Sequence, residues 1–204
     1  MKIICIGYNY HSHSEMLPDE CTGSPVFFMK PDTALLRNNQ PLYYPRFTQD
    51  LRCGVALVLR ICRLGRSISE RFAHRYYSEV GVGVDFTAHD VQLECIKKGL
   101  PWEACKSFDY SAPVSSKFVE LSALRDAADV KFSLELNGKT VQQAGSSEMI
   151  FGFNRIVSHV SGYVTLRMGD LIFTGTPPGA GSVKIGDTLA AKIEGTPLLT
   201  VEIK

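Results

Sequence analysis

VKFSLELNGKTVQQ, residues 130–143, sets the expectation for the whole chain. Phe132, Leu134 and Leu136 alternate with Lys131, Ser133 and Glu135, the two-residue period of a strand with one buried face. Asn137-Gly138 follows, the pair best suited to a tight two-residue turn at positive φ. The segment therefore reads as an antiparallel hairpin. Such a hairpin belongs to a sheet-building chain rather than to a regular strand–helix–strand alternation.

Working outward, the same logic gives more strands than helices. KIICI at 2–6 and VFFMK at 26–30 are β-branched or aromatic and apolar, the second ended by Pro31-Asp32. PDECTGSP at 18–25 is turn-rich, and residues 37–46, with Asn38-Asn39, Pro41 and Pro45, read as a loop. VALVLRICRLG at 55–65 is a strong strand closed by a glycine turn, and VGVGVDF at 80–86 is a strand whose glycines announce close backbone approach. Helical patterns fall at 69–78, with Ser69 as N-cap, at 87–99, stopped by Gly99, and at 147–161. The tail alternates turns and strands: Gly169-Asp170 before LIFTGT, Gly186-Asp187 before TLAAKIEG, then LLTVEIK. No repeat, low-complexity tract or linker interrupts it. The expectation is a strand-dominated α+β fold in a single domain over residues 1–204.

Composition narrows the function. Of 204 residues, 45% are hydrophobic and 21% charged, enough for an ordinary core, and the net charge of +1 gives no footprint for nucleic acid. Lys97-Lys98 reads as a solvated helix face. No apolar run approaches the roughly 20 residues of a membrane span, and MKIICIGYNY reads as a first strand rather than a leader. A cytoplasmic protein is expected. Cys5, Cys21, Cys53, Cys62, Cys95 and Cys105 form no C-x-x-C pair and read as reduced, mostly buried small hydrophobes.

Six segments carry a resemblance in register along nearly the whole chain: KIICIGYNYHSH, PVFFMKP, VDFTAHDVQ, PWEACKSFD, LNGKTVQ and GDLIFTGTPPGAG. Together they resemble the fumarylacetoacetate hydrolase family, above all its small single-domain members that hydrolyse, decarboxylate or isomerise keto acids. The resemblance implies a mixed, curled β-sheet roll, a homodimer, and a pocket for a small carboxylate substrate with Mg²⁺ or Mn²⁺. The family's ion sits on an E-x-E strand pair and on the Asp of an N-D-x-T-A-R-D segment. That choice is chemically sensible: hard cations prefer carboxylate oxygens, and alternate strand residues share a face. Here Asp85 matches the Asp, but Gly54 and Ala56 stand in the E-x-E places, which impairs the site. Cys53 offers no replacement, since it points to the other face and a thiolate suits Mg²⁺ poorly.

The resemblance assigns further roles residue by residue. His13 matches the general-base histidine, though its usual acidic partner falls on Met16, with Glu15 one residue short. Lys106 matches the lysine that stabilises developing negative charge. Gln92 and Thr176 match groups holding substrate oxygens, and the turn at Gly175 offers backbone N–H groups to an anion. Tyr8 and His89 both stand where the family commonly has Arg, so His89 replaces a permanent guanidinium by a single ring donor. The residues themselves also allow plainer readings: Asp85 as a helix N-cap, Lys106 as a surface charge, Thr176 as a turn former, and His11, His74 and His159 as ordinary polar residues. Two functions follow: a keto-acid enzyme carried by His13, Lys106 and the Thr176 turn, or a pseudoenzyme that binds a small anion or partners a paralogue.

Overall fold

The computed structural model describes residues 1–10 and 23–204. Thirteen strands are present among them: β1 (Ile3–Gly7), β2 (Val26–Lys30), β3 (Leu35–Leu36), β4 (Leu51–Ile61), β5 (Tyr77–Ala88), β6 (Ala112–Pro113), β7 (Val119–Glu120), β8 (Lys131–Leu136), β9 (Lys139–Gly145), β10 (Leu171–Phe173), β11 (Gly181–Ser182), β12 (Thr188–Ile193) and β13 (Thr196–Glu202). Among the described residues three α-helices join them: α1 (His89–Lys98), α2 (Glu103–Lys106) and α3 (Phe153–Tyr163). One sheet has the order β2-β1-β10-β4-β5-β7, with β11 also on β4. It is mixed: β1 and β10 run parallel, the other pairs antiparallel. A second sheet, β13-β12-β8-β9, is antiparallel. No helix among the described residues is long and apolar enough to cross a membrane.

The hairpin forms as its sequence requires. β8 and β9 turn through Asn137 (φ 53) and Gly138 (φ 78). Phe132 and Leu134 are buried with Leu189, Ala191 and Val201 from the neighbouring strands.

β4 and β5 are the long central pair. Val55, Leu57, Leu59 and Ile61 share one face with Val80, Val82, Val84 and Phe86, and this face enters the main core. The opposite face carries Ala56 and Val58, packed with Ile3, Cys5, Val114 and Phe173. Gly83 is needed there. A Cβ on it would lie 2.6 Å from the Phe173 ring and 2.9 Å from the Pro113 carbonyl.

Three expectations shift. The helical pattern at 69–78 becomes a short 3₁₀ segment, Glu70–Arg75, because Tyr77 pairs with Ile61 and opens β5. Ser69 precedes it without a side-chain cap bond. Helix α1 begins at His89 rather than near Thr87, since Thr87 and Ala88 continue the pairing with Arg52 and Leu51. Gly99 does end it, at φ 64. Asp85 is therefore not an N-cap; it lies within β5, opposite Gly54. The helical pattern at 147–161 is split between a 3₁₀ turn at Ser146–Glu148 and α3.

Candidate functional site

Register brings the site together. Gly54 faces Asp85 and Arg52 faces Thr87, so β4 and β5 carry all four on one face. Over it lies a 340 Å³ cavity lined by Tyr8, Phe28, Asp85, His89, Gln92, Trp102, Lys106 and Thr176, with Leu93 and Ile96 at the α1 side. A larger hollow near Lys2, Arg66 and Met168 holds none of the candidate residues.

Asp85 is the hub. Lys106 Nζ donates to Asp85 Oδ2 at 2.8 Å and to Thr87 Oγ1 at 2.6 Å. Lys30 Nζ lies 2.8 Å from Asp85 Oδ1, but its hydrogens serve the carbonyls of Phe86 and Ser111 and the Ser111 hydroxyl. Asp85 Oδ1 thus shares the Lys30 ammonium with three other acceptors. Burial alone would push the Asp85 carboxyl up. Lys106 and Lys30 overcome it and hold the group below its usual range. Burial pulls the Lys30 ammonium below its usual value, with Asp85 opposing. Both lysines are also stacked on aromatic rings, Lys106 5.0 Å from Phe28 and Lys30 5.8 Å from Phe108.

The neighbouring half of the face is closed. A Cβ on Gly54 would overlap the Thr176 methyl and lie 2.8 Å from Thr176 Oγ1. Thr176 thus fills the volume that a side chain at 54 would use, and its hydroxyl donates to the Val55 carbonyl at 3.2 Å. Ala56 is buried among apolar side chains. Cys53 points into the main core, its thiol pushed up to about 12 by burial.

The described residues offer a poor donor set for Mg²⁺ or Mn²⁺. Such an ion needs several oxygen ligands, and among the described residues no three His, Cys, Asp or Glu side chains converge. The Asp85 carboxylate already faces two ammonium groups, Lys30 on Oδ1 and Lys106 on Oδ2. Two lysines and one aspartate leave this buried cluster one positive charge in excess, which suits an anion.

The sequence-derived candidates fall as follows. Tyr8, Asp85, His89, Gln92, Lys106 and Thr176 line one cavity. Tyr8 adopts φ 56, and burial pushes its phenol up. Lys106 is 9% exposed, a buried residue rather than a surface charge. Gly175 is off the wall: at φ 115 it packs against Asn9, where a Cβ would lie 2.8 Å from the Asn9 Cβ. His13, His11, Glu15 and Met16 lie outside the described residues. His159 packs between Phe27 and Tyr163, apart from the cavity.

Sequence reasoning missed three groups. Lys30 looked like the end of a strand; its signal was a lone charge on an otherwise apolar strand. Trp102 and Phe28, tilted at 6.3 Å, form an aromatic wall with no local signature. Gln142 anchors the Thr176 turn, accepting from Val55 N at 2.8 Å and donating to the Pro177 carbonyl at 2.7 Å.

Residues 2–204 match the fumarylacetoacetate (FAA) hydrolase C-terminal family. The chain is 40% identical over 194 residues to the mitochondrial oxaloacetate tautomerase FAHD1 of Bos taurus, covering 95% of this chain and 87% of that protein. The crystal structure of fumarylpyruvate hydrolase from Pseudomonas aeruginosa, in complex with Mn²⁺ and pyruvate, superposes with a TM-score of 0.90 at 31% identity, covering 100% of this chain and 89% of that one. The structure of 2-hydroxyhepta-2,4-diene-1,7-dioate isomerase from Mycobacterium marinum gives 0.85 at 32% identity, covering 99% and 73%. This chain belongs to the fumarylacetoacetate hydrolase family. Its strand-dominated α+β architecture with a mixed sheet is that of the family.

Proposed function

We propose that this chain takes a small 2-keto acid into the Asp85–Lys106 cavity and interconverts its keto and enol forms without a resident metal ion. The observation that carries this reading is the Lys30–Asp85–Lys106 cluster facing a closed Gly54–Thr176 wall. A carboxylate or an enolate oxygen would meet the Lys106 ammonium, which offers the positive charge that a metal ion would otherwise supply. Keto–enol interconversion is the family reaction that asks least of a metal: one proton moves, and one oxygen carries transient charge. The family's divalent ion is weak or absent in this chain on the same donor argument. Gln92 and Tyr8 complete the polar wall for the ligand's remaining oxygens. The reading includes a homodimer; sedimentation equilibrium at twice the 22.6 kDa chain mass supports it, and a monomer mass overturns it.

The test is oxaloacetate enol absorbance followed with chelator-treated protein. Acceleration that persists in chelator and falls roughly 100-fold in Lys106→Met supports the reading. Acceleration only with added Mn²⁺ overturns it in favour of a retained metal site. A second reading rests on the loss of both carboxylates at 54 and 56: an inactive protein that binds a small anion. Calorimetry showing oxalate binding in chelator, with no enol turnover under any condition, selects that one.

A further inference from the structure

His89 lines the same cavity as Lys106, yet the ligand-holding role expected for it leaves its surroundings unexplained. Its Nδ1 lies 3.1 Å from Asp50 Oδ2. Its backbone N–H donates to the Asp50 carbonyl at 2.8 Å. Asp50 is itself fixed: Ser182 Oγ donates to Oδ1 at 2.6 Å, and Arg52 Nε and a terminal nitrogen reach Oδ2 at 3.1 and 3.0 Å. The turn that carries Asp50 is clipped to the first turn of α1, where Asp90 accepts from Gln49 N at 2.8 Å and from the Thr48 hydroxyl. A carboxylate held this firmly on one ring nitrogen selects one tautomer. In the neutral ring this contact places the proton on Nδ1 and leaves the lone pair on Nε2.

We propose that Asp50 and His89 form a general-base dyad, with His89 the catalytic base and Asp50 the residue that positions it. The inference rests on the reading of this cavity as a 2-keto acid site. His89 Nε2 takes a proton from the carbon next to the keto group. The C–H electron pair becomes the new C=C bond, and the carbonyl pair moves onto oxygen, which faces the Lys106 ammonium. The imidazolium then gives the same proton to that oxygen. The enol leaves and His89 is neutral again, so no atom or electron is left over. Asp50 stabilises the transient imidazolium and holds the ring in place. An arginine at position 89 could do none of this, because it stays charged and has no lone pair to offer.

The experiment uses the full chain in chelator, with oxaloacetate as probe, the urea midpoint as the check that each variant is folded, and oxalate affinity as the reading of ligand binding. His89→Gln is expected to lower kcat roughly 100-fold with KM changed less than about threefold. Asp50→Asn is expected to lower kcat in the same way, because the amide can hold the wrong tautomer. Imidazole added to His89→Ala restores part of the lost rate, which a merely structural histidine would not allow. Wild-type turnover with unchanged kcat in both His89→Gln and Asp50→Asn overturns the dyad alone. Wild-type protein without turnover in chelator overturns the cavity reading, and the dyad with it. Loss of oxalate binding in His89→Gln in proportion to its loss of rate also overturns the dyad, since His89 would then only hold the ligand.

Discussion

Strands β4 and β5 pair from Leu51–Ala88 to Ile61–Tyr77, yet their site faces differ in kind. On β5, Asp85 keeps a full charge in a half-buried place because Lys106 and Lys30 both meet it at 2.8 Å. On β4, Gly54 directly opposite and Ala56 two residues on are neutral, and the space is filled by Thr176 and by apolar side chains. A buried charge survives only where a partner network satisfies it, whereas a missing side chain is readily filled by a neighbour. The charged half should therefore be the fragile one and the neutral half the tolerant one.

The largest effect tests the charged half. Lys30→Met removes the donor to the Phe86 and Ser111 carbonyls and one of the two ammonium groups that face the Asp85 carboxylate. Breaking a buried pair on one side should lower stability by about 3–5 kcal/mol in urea denaturation. A loss under about 1 kcal/mol would mean that water reaches Asp85 and that the cluster is not a closed one.

The next effect tries to undo the difference. Gly54→Glu with Ala56→Glu forces the Thr176 methyl aside and places a carboxylate among Cys5, Val58 and Phe173. In chelator the double variant should lose roughly 2–4 kcal/mol, the cost of burying poorly paired charge. Millimolar Mn²⁺ should raise its thermal midpoint while leaving the parent chain unmoved, because only the variant supplies three carboxylates. Equal response of the two proteins to Mn²⁺ would erase the contrast between the strands.

Much of this contrast was legible in the sequence, for identifiable reasons. The 130–143 hairpin was readable because period-two burial and an Asn-Gly turn act locally. Asp85 and Lys106 were readable through their motifs, as was the neutrality of positions 54 and 56. What was not readable depends on register and on distant loops. Lys30 reaches Asp85 across the sheet through the β1–β2 pairing, and nothing near VFFMK announces a buried ammonium. Asp50 sits in a polar turn, TQDL, and becomes a partner of His89 only because Asp90 clips that turn to α1. The helix expected from Thr87 started two residues late because strand pairing with β4 outlasted it. Local preference loses in each case to long-range pairing.

Acid sharpens the contrast further. The folded Asp85 carboxyl is held below its ordinary value of 3.8 by Lys106 and Lys30, against the upward push of burial. A depressed carboxyl adds stability that is complete above the unfolded value and lost as pH falls through the folded one. Urea midpoints should thus hold steady for this group above about pH 5 and fall progressively below about pH 4. The Asp85→Asn variant should show a shallower acid limb. An identical acid limb in both would place the sensitive carboxylates elsewhere, with Asp50 and Asp129, also held low, the next to examine.

The smallest effect asks whether Thr176 is a plug or a ligand contact. Its hydroxyl donates to Val55 O at 3.2 Å, and its methyl fills the space over Gly54. Thr176→Val keeps the methyl and the branched shape but deletes the hydroxyl. The loss of one partly buried hydrogen bond should cost about 1 kcal/mol in stability. If Thr176 chiefly closes the β4 half, oxalate affinity in chelator should change by less than about threefold, under roughly 0.7 kcal/mol. If the hydroxyl turns from Val55 to the ligand on binding, the same substitution should weaken oxalate by about tenfold or more while the stability loss stays near 1 kcal/mol. The two measurements separate the roles because one reads the empty cavity and the other the filled one. A tenfold loss of affinity would move Thr176 from the closed half of the site to the charged half, and the dividing line between the strands would run through its side chain.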